Sequence, residues 1–377
     1  MKLNKCIVIP DSFKGTMSSS DICAMAREAI GTFFPGCQVD AIPVADGGEG
    51  TAECFLQAIA GGERVTVAVT GPWGEPVEAA YARFRDRAVI EMAAAAGLPL
   101  AGERRDPSRT TTYGVGQLIA HAIRSGCREI LLGLGGSATN DGGCGCAAAL
   151  GVEFRDQAGR SFVPVGGTLE QIACIRTAPA QKLLEGVTVT LMSDVENPLC
   201  GVEGAAHVFA PQKGADQAMV LELDRQLEAL EGAIGRELGL EVGRIPGAGA
   251  AGGMGAGCVA FLGAGIKSGI EAVLDMVAFD HRLEGADLVL TGEGRIDGQS
   301  VRGKVISGIA RRTKPRGVPL VALVGDVGDD AYAAYDLGVT AIFSINRQAI
   351  PFSEARGRSR QDYRRTLEDL LRLLQIS

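Results

Sequence analysis

Short runs of apolar and β-branched residues recur along the chain, and each one leads into glycine and acidic residues. Six such runs lie at residues 6–9, 41–44, 130–132, 187–192, 288–290 and 320–324. Uninterrupted runs rich in β-branched residues are typical of strands that are buried on both faces of a parallel sheet. The pattern therefore predicts short parallel strands whose carboxyl ends carry polar, glycine-rich loops.

Helical patterns follow most of these strands. The serines at 18–20 offer N-caps for a helix over 21–30, and the threonines at 110–112 do the same for a helix that begins at Tyr113. A long amphipathic helix is predicted from Ala215 onward. Strands that alternate with helices indicate an α/β protein, and in open α/β sheets ligands bind outside the carboxyl ends of the strands.

The segment that begins at Thr70 has a different pattern. The sequence GPWGEP is rich in turn-forming residues, and VEAAYARF behind it alternates like an antiparallel strand. The parallel-strand pattern returns near Gly285. We therefore predict a discontinuous Rossmann-like domain at 1–69 plus 286–377 and an inserted α/β domain at 70–285.

Composition narrows the class of protein. A chain of 377 residues is longer than one hydrophobic core usually spans, which favours two domains. The 53 glycines are roughly twice the ordinary share, and they are clustered in the predicted loops. The net charge is −8 and no basic run interleaves with aromatic residues, so nucleic acid is not expected as a partner.

The location of the protein is predicted from what the sequence lacks. No apolar run approaches the roughly 18 residues that would span a bilayer, and the apolar core at the N-terminus is too short for a signal peptide. The ten cysteines are scattered, as is typical of reduced thiols in a cytoplasmic protein. With three isolated histidines, acid–base chemistry is expected to fall to carboxylates and lysines.

The acidic glycine loops favour phosphate chemistry. Glycine-rich turns present backbone N–H groups that bind anions, but neighbouring carboxylates repel a phosphate unless a cation lies between them. Mg²⁺ suits that position because it binds one or two carboxylates together with phosphate oxygens and waters. Any single Gly-Asp cluster is explained as an ordinary turn, but six clusters at predicted strand ends favour a shared site. A dinucleotide dehydrogenase is the alternative at 133–138, which match G-x-G-x-x-A, but the acidic ribose partner about 20 residues further on is missing.

Taken together, the loops resemble a known family. PDSFKG (10–15), PVADGGEGT (43–51), GLGGSATNDGG (133–143), SDVENPLCG (193–201), GAGAAGGMGAG (247–257) and TGEGRIDGQS (291–300) are similar, in order, to the motifs of bacterial glycerate kinases of the PDSFKG type. The resemblance implies ATP-dependent phosphorylation of D-glycerate in the breakdown of glycerate, glucarate and glyoxylate, with 2-phosphoglycerate favoured over 3-phosphoglycerate. It also implies a Rossmann-like domain, a smaller inserted α/β domain and a cleft between them. The oligomeric state is left open, with a homodimer as one candidate.

Roles for the loop residues are predicted from the chemistry of their side chains and backbone groups. The catalytic set is predicted to be Asp194, Asp297 and Lys14, and the metal ligands Asp194, Glu293 and Asp297. Substrate contacts are predicted for Asp11, Ser12, Asp46, Gly47, Gly48, Glu49 and Arg295. ATP contacts are predicted for Gly135, Gly136, Ser137, Asn140, Gly252 and Gly253. Lys304 is a further candidate cation for the glycerate carboxylate. A non-catalytic glycerate sensor with the same site is the alternative, and it predicts lost catalytic carboxylates.

Overall fold

The computed structural model describes residues 2–44, 47–298 and 304–376. The chain forms two compact units. The first, here called the parallel-sheet unit, comprises Met1–Ala45, Gln57–Ala60 and Ser268–Ser377, and the second, called the inserted unit, comprises Asp46–Leu56 and Gly61–Lys267. Both units are α/β, and the first is discontinuous in sequence, as the apolar pattern predicted. The inserted unit is the longer of the two, so the smaller inserted domain that the resemblance implied is wrong.

The strands are short, as the lengths of the apolar runs indicated. They are β1 (Lys5–Val8), β2 (Gln38–Ala41), β3 (Glu63–Thr70), β4 (Pro76–Phe84), β5 (Arg87–Glu91), β6 (Glu129–Gly133), β7 (Glu153–Arg155), β8 (Ser161–Phe162), β9 (Cys174–Arg176), β10 (Thr188–Met192), β11 (Gly265–Lys267), β12 (Leu288–Thr291), β13 (Arg295–Ile296), β14 (Leu320–Val324), β15 (Asp326–Val327) and β16 (Ala341–Ser344).

The α-helices range from single turns to six turns. They are α1 (Ser19–Phe33), α2 (Thr51–Ala58), α3 (Ala93–Ala96), α4 (Leu98–Ala101), α5 (Tyr113–Arg124), α6 (Cys144–Ala149), α7 (Ala178–Leu183), α8 (Ala205–Phe209), α9 (Gln217–Leu238), α10 (Ala250–Leu262), α11 (Gly269–Met276), α12 (Phe279–Arg282), α13 (Val305–Thr313), α14 (Ala333–Leu337), α15 (Phe352–Ala355) and α16 (Ser359–Ile376).

The parallel-sheet unit contains a five-stranded sheet in the order β2-β1-β12-β14-β16. Every neighbouring pair in this sheet is parallel. If the five strands are counted in chain order, this is the 2-1-3-4-5 order of doubly wound α/β folds. The winding direction reverses between β1 and β12, and a ligand is expected outside the carboxyl ends of strands at such a point.

Both faces of this sheet are buried. Cys6 and Val8 of β1 share a core with Leu288 of β12, with Ile22 of α1 and with Tyr363 of α16. The intervening residues Ile7 and Val289 point to the opposite face and are also fully buried. Burial on both faces explains why the inner strands β1, β12 and β14 come from uninterrupted apolar runs. The edge strand β2 differs from the prediction, because it includes Gln38 and Asp40 and ends at Ala41, where the predicted run 41–44 begins.

Helix caps follow the sequence signals in part. Ser18 is the N-cap of α1 and forms a capping box with Asp21, which confirms the predicted cap. Thr112 occupies the N-cap position of α5, but its side chain does not cap that helix. Its hydroxyl donates to Asp141 Oδ2 (2.9 Å), so this threonine serves a loop on another strand.

The inserted unit has a six-stranded sheet in the order β11-β10-β6-β5-β4-β3. The strands β3, β4 and β5 are antiparallel, as the alternating VEAAYARF segment predicted, whereas β5, β6, β10 and β11 run parallel. A small antiparallel sheet β8-β7-β9 lies apart from it. The carboxyl ends of β5, β6 and β10 therefore meet at one edge of the large sheet.

The limits of the two units differ from the predicted domain boundaries at 69/70 and 285/286. The strand β3 is paired with β4 along its whole length, from Glu63 to Thr70, and so belongs with the inserted unit. At the other crossing, α11 and α12 belong with the parallel-sheet unit. Arg312 of α13 connects both helices, with ion pairs to Glu271 (2.5 Å) and Asp280 (2.5 Å).

The long amphipathic helix predicted from Ala215 is α9, which begins one residue after its N-cap, Asp216. It buries Leu223, Leu227, Leu230 and Ile234 against the rest of the inserted unit. Within the described residues, no helix combines the length and the apolar character needed to cross a membrane.

Candidate active site

Two of the six sequence motifs meet at the topological switch point of the parallel-sheet unit. The loop after β1 carries Asp11, Ser12 and Lys14, and the loop after β12 carries Glu293, Arg295 and Asp297. The backbone N–H of Asp11 donates to the carbonyl of Gly292 (2.8 Å), which joins the two loops directly. The polar groups predicted for the substrate thus lie where the strand order favours a ligand site.

The loop after β1 is a tight turn anchored by one aromatic ring. Phe13 is buried against Tyr363, with ring centroids 6.1 Å apart, and its N–H donates to the carbonyl of Met17 (2.9 Å). The backbone N–H of Ser12 donates to Asp11 Oδ1 (2.6 Å). This anchoring leaves Asp11 and Ser12 half-buried and holds Lys14 in solvent at the tip of the turn.

The loop after β12 is held by a second pair of short parallel strands, β13 and β15. Arg295 of β13 forms ion pairs with Asp297 (Nε to Oδ2, 3.8 Å) and with Asp326 of β15 (Nη1 to Oδ2, 3.6 Å). The Arg295 side chain stays 61% exposed, whereas Glu293 is 5% exposed. The loop therefore presents one oriented cation beside two carboxylates, Asp297 and Asp326, that are both accessible.

Lys304 is exposed at the N-cap position of α13. The residues directly before it, 299–303, lie outside the described part of the chain.

The remaining four motifs meet in the inserted unit, to which PVADGGEGT contributes residues 46–51. Asp46, predicted to bind substrate, lies outside the described residues. Gly47, Gly48 and Glu49 are described, and the Gly47 carbonyl accepts a hydrogen bond from Gly135 N–H (3.0 Å). A Cβ on Gly135 would lie 2.6 Å from the Cα of Gly48, closer than side-chain carbons approach. Glycine is required at 135 because two backbones pass each other there.

Glu91, at the carboxyl end of β5, holds the same loop from the other side. Its carboxylate accepts hydrogen bonds from the backbone N–H groups of Gly50 (3.2 Å) and Ala52 (2.7 Å). These N–H groups belong to the start of α2, where a carboxylate is favoured by the helix dipole. Glu49 itself is exposed. The loop that carries Glu49 is thus fixed at its base, while the Glu49 side chain is accessible.

A cavity of about 420 Å³ adjoins this loop. Its polar lining comes mostly from Glu49, Glu53, Glu78 and Glu91, with Arg64 as a single cation. Four carboxylates facing one guanidinium disfavour anionic ligands such as glycerate or nucleotide phosphates, so this cavity is not assigned to either.

The loop predicted to bind ATP, 135–141, is tied to its neighbours at almost every residue. The Gly136 carbonyl accepts from Leu98 N–H (2.9 Å), and Ala138 N–H donates to the carbonyl of Ala96 (2.9 Å). The hydroxyl of Thr110 donates to the Ala138 carbonyl (2.9 Å). Ser137, 6% exposed, is held between these contacts. The loop is therefore rigid before any ligand binds.

Asp141, the last residue of this loop, anchors it by hydrogen bonds inside the core. It is fully buried and accepts hydrogen bonds from Thr112 N–H (2.8 Å), Gly143 N–H (3.1 Å) and Gly145 N–H (3.2 Å). Burial raises the pKa of its carboxyl, and the hydrogen bonds from Thr112 and the two glycines act against that rise. Asp141 thus connects the starts of α5 and α6 to the loop.

Asn140 is fully buried, and neither polar atom of its side chain has a hydrogen-bond partner within the described part of the chain. The same is true of Thr139 Oγ1. An unpartnered buried polar group costs about 1–3 kcal/mol, so native proteins contain few of them without a reason. Because the side chain is fully buried, a polar ligand or water would reach Asn140 only after the groups that cover it move, and its contact with the nucleotide stays a prediction.

Gly252 and Gly253 lie in the first turn of α10, where the backbone is left-handed. A Cβ on Gly252 would be 2.1 Å from the carbonyl oxygen of Thr139, and one on Gly253 would be 2.9 Å from Leu199. Close packing inside the protein therefore accounts for both glycines without a nucleotide. Their predicted contact with ATP would involve backbone atoms alone, and the N–H of Gly253 already donates to the carbonyl of Gly249 (3.4 Å).

Asp194 follows β10 and is exposed. The neighbouring Ser193 N–H donates to the carbonyl of Lys267 (3.0 Å), and the Asn197 carbonyl accepts from Gly249 N–H (3.0 Å). The motif around Asp194 thus packs on the motif that precedes α10. The predicted metal ligands are divided between the units, with Asp194 in the inserted unit and Glu293 and Asp297 in the parallel-sheet unit.

Among the described residues, no group of three or more His, Cys, Asp or Glu side chains is placed to hold a metal ion. Mg²⁺ does not require such a group, because it commonly binds one or two carboxylates together with phosphate oxygens and waters. The carboxylates of Glu293 and Asp297 are hard oxygen donors of the type that Mg²⁺ prefers, so the donor set fits this ion.

Sequence reasoning missed three residues of this site: Glu91, Asp141 and Lys213. Asp141 lies in the loop after the predicted strand 130–132, and Glu91 directly follows the apolar residues 88–90, for which no strand was predicted, so their place in the chain was a usable signal. Lys213 lies in a short 3₁₀ turn, Pro211–Lys213, and nothing in the local sequence distinguishes it from a surface lysine. Its importance is visible only from its burial and its contact with Thr139.

Comparison with known proteins identifies the family to which this site belongs. The model of the glycerate kinase family matches residues 6–375, and the chain belongs to this family of phosphotransferases. It is 43% identical over 354 residues to a glycerate kinase of Bacillus cereus, covering 93% of each chain. It is 43% identical over 344 residues to a glycerate 2-kinase of Escherichia coli K12, covering 90% of each. The crystal structure of a candidate glycerate kinase 2 from Salmonella typhimurium LT2 superposes with a TM-score of 0.86 at 39% identity and 99% coverage of both chains.

Proposed function

We propose that this chain transfers the terminal phosphoryl group of ATP to a hydroxyl group of D-glycerate, with 2-phosphoglycerate as the product. One observation carries the proposal: the PDSFKG and TGEGRID loops are hydrogen-bonded to each other at the switch point of the parallel sheet. There they combine exposed cations with carboxylates, which is the set of groups that a small hydroxy acid requires. The choice of the 2-hydroxyl is supported by the relative named glycerate 2-kinase.

Roles follow from the chemistry of each side chain. Arg295 and Lys14 are exposed cations that would bind the glycerate carboxylate, and the planar guanidinium of Arg295 suits a bidentate contact. Asp297 is accessible beside Arg295 and would accept the proton of the reacting hydroxyl. The half-buried Asp11 and Ser12 would hydrogen-bond the substrate hydroxyls.

The nucleotide site is proposed at the 135–141 loop of the inserted unit, with Asn140 and Ser137 as side-chain contacts and Gly136, Gly252 and Gly253 as backbone contacts. Support comes from the unpartnered Asn140 side chain and from the rigidity of the loop. Glu293 and Asp297 in the parallel-sheet unit and Asp194 in the inserted unit are the candidate residues for holding Mg²⁺, which would neutralise the charge of the nucleotide phosphates.

A coupled assay of ADP release tests the activity. We expect turnover with ATP, Mg²⁺ and D-glycerate, and little ADP release when D-glycerate is omitted or replaced by glycerol, which lacks the carboxylate. The ³¹P NMR spectrum of the product identifies the acceptor hydroxyl, since a phosphate on the 2-oxygen couples to a single proton and one on the 3-oxygen to two. Absence of glycerate-dependent ADP release would refute the activity, and coupling to two protons would refute only the assignment of the 2-hydroxyl.

A further inference from the structure

Lys213 is the only lysine among the described residues that is buried, with 1% of its surface exposed. A buried ammonium group is costly and is found mainly where it has a specific partner. The partner here is the carbonyl oxygen of Thr139, to which Lys213 Nζ donates a hydrogen bond of 2.7 Å. Lys213 therefore binds the 135–141 loop from a turn that follows α8, 74 residues further along the chain.

The contact falls on the peptide that joins Thr139 to Asn140. The Thr139 carbonyl also lies against the Cα of Gly252, which leaves no room for a side chain at 252. Lys213 and Gly252 thus contact the same carbonyl group from two sides. Together they set the orientation of the peptide that leads to Asn140, whose side chain is unpartnered.

The charges around Lys213 indicate that this residue orients the loop and does not attract a ligand by its charge. Burial lowers the pKa of Lys213 to about 7, and the nearby carboxyl of Asp141 acts in the opposite direction. The opposite charges of the pair offset each other when both are ionised. The contribution of Lys213 to the loop is therefore mainly a directed hydrogen bond.

We infer that Lys213 is a positioning residue for the nucleotide, acting through the Thr139 carbonyl on Asn140. The inference rests on the proposed function, because it assigns Lys213 to the ATP side of that reaction. Without Lys213 the buried carbonyl loses its donor, and the peptide is free to rotate away from the geometry that Asn140 needs. ATP binding is then weakened, whereas the D-glycerate groups on the parallel-sheet unit are left unchanged.

Two substitutions separate this role from a purely structural one. Lys213→Met keeps the length of the side chain and removes the donor, whereas Lys213→Gln keeps an N–H donor on a shorter chain. Lys182→Met, at an exposed lysine of α7 in the same unit, is the matched control. The Kd of ATP is measured by calorimetry, the KM values of ATP and D-glycerate by the ADP assay, and folding by thermal melting.

For Lys213→Met we expect the Kd and KM of ATP to rise about tenfold or more, with the KM of D-glycerate nearly unchanged. Lys213→Gln is expected to recover part of the ATP affinity, and Lys182→Met to match the wild type. A folded Lys213→Met variant with wild-type ATP affinity would overturn the inference, as would an equal rise of both KM values. If Lys213→Met does not fold, Lys213→Leu, which also lacks the donor, is measured in its place, and wild-type ATP affinity in that folded variant has the same meaning.

The calorimetric measurement keeps the two proposals distinct. If the wild type binds ATP but releases no ADP with D-glycerate, the proposed function fails while the Kd values still decide the role of Lys213. If the wild type does not bind ATP, the positioning role fails as well.

Discussion

Arg295 forms ion pairs with two carboxylates for which the sequence indicated different roles. Asp297 was predicted to be catalytic, whereas the sequence GDVGDD around Asp326 is typical of a helix N-cap or a turn. The cap assignment is wrong, because Asp326 belongs to β15 and the next helix, α14, begins at Ala333 with Tyr332 as its N-cap. Asp326 instead pairs with Arg295 at 3.6 Å, with both side chains more than half exposed. An exposed pair of this kind contributes about 0–1 kcal/mol.

The catalytic assignment predicts an asymmetry among three substitutions. Asp297→Asn and Asp194→Asn are each expected to lower kcat by roughly 10²-fold or more, because they remove a general base or a metal ligand. Asp326→Asn should leave kcat near the wild-type value and cost no more than about 1 kcal/mol of unfolding free energy. Steady-state kinetics and melting curves on the three variants measure this. An inactive Asp326→Asn beside two nearly normal variants would mean that the catalytic loops are assigned wrongly.

At the scale of elements, the start of α10 illustrates how glycines determine loop contacts. Ala251 (φ 55°), Gly252 (φ 70°) and Gly253 (φ 84°) are left-handed in succession. This turn brings the backbone of α10 against the Thr139 carbonyl on the loop after β6. Two of the sequence motifs thus meet through backbone contact, which a side chain at 252 would prevent.

Gly252→Ala is expected to lower the unfolding free energy by roughly 3 kcal/mol or more, since it combines a left-handed alanine with a clash against a fixed carbonyl. Gly263→Ala is the control, because Gly263 has a similar φ of 64° at the other end of the same helix and nothing within 4 Å of an added Cβ. That change should cost about 1–2 kcal/mol. Urea unfolding compares them. Equal losses would show that the Thr139 contact contributes nothing.

At the scale of the whole molecule, the two units each have their own sheet and core, so unfolding should be followed by a probe that belongs to one of them. The single tryptophan of the chain, Trp73, lies in the inserted unit and is a fluorescence probe of its unfolding. Its indole N–H donates to the Ala101 carbonyl (3.3 Å), and Arg104 lies over its ring at 4.7 Å from the centroid. Loss of these contacts on unfolding should change its fluorescence.

Trp73 fluorescence allows the pKa of the buried Lys213 to be tested, because a shifted pKa makes the free energy of unfolding depend on pH. Its pKa is about 7 in the folded chain and ordinarily 10.5, so between these values the unfolded chain holds a proton that the folded chain has released. Raising the pH therefore favours the folded state. Relative to Lys213→Met, the wild type should gain up to about 1.4 kcal/mol per pH unit above pH 7 and nothing below it.

Urea unfolding of both proteins, followed by Trp73 fluorescence at several pH values between about 6 and 10, decides this. Titration of cysteines and tyrosines is common to the two proteins and cancels in the comparison. Parallel pH profiles would show that Lys213 keeps its ordinary pKa in the folded chain.

The sequence alone determined the class of fold, the motifs and the family. Uninterrupted apolar runs such as 288–290 are typical of buried parallel strands, because a strand covered on both faces has no solvated side for polar residues. The Ser18 cap and the helix α9 depend on local signals that the sequence contains. The predicted roles of Asp194, Asp297 and the other site residues stay predictions, because chemical role depends on ligands as well as on position.

Only the tertiary structure decided which loops meet. The order 2-1-3-4-5 brings the PDSFKG loop to the TGEGRID loop, and sheet order depends on long-range pairing that no local pattern encodes. The same reason applies to the unit boundary at β3, which is set by its pairing with β4. It applies also to Lys213, since a lysine is solvated or buried according to what packs over it, and the groups that cover Lys213 come from residues distant in the chain.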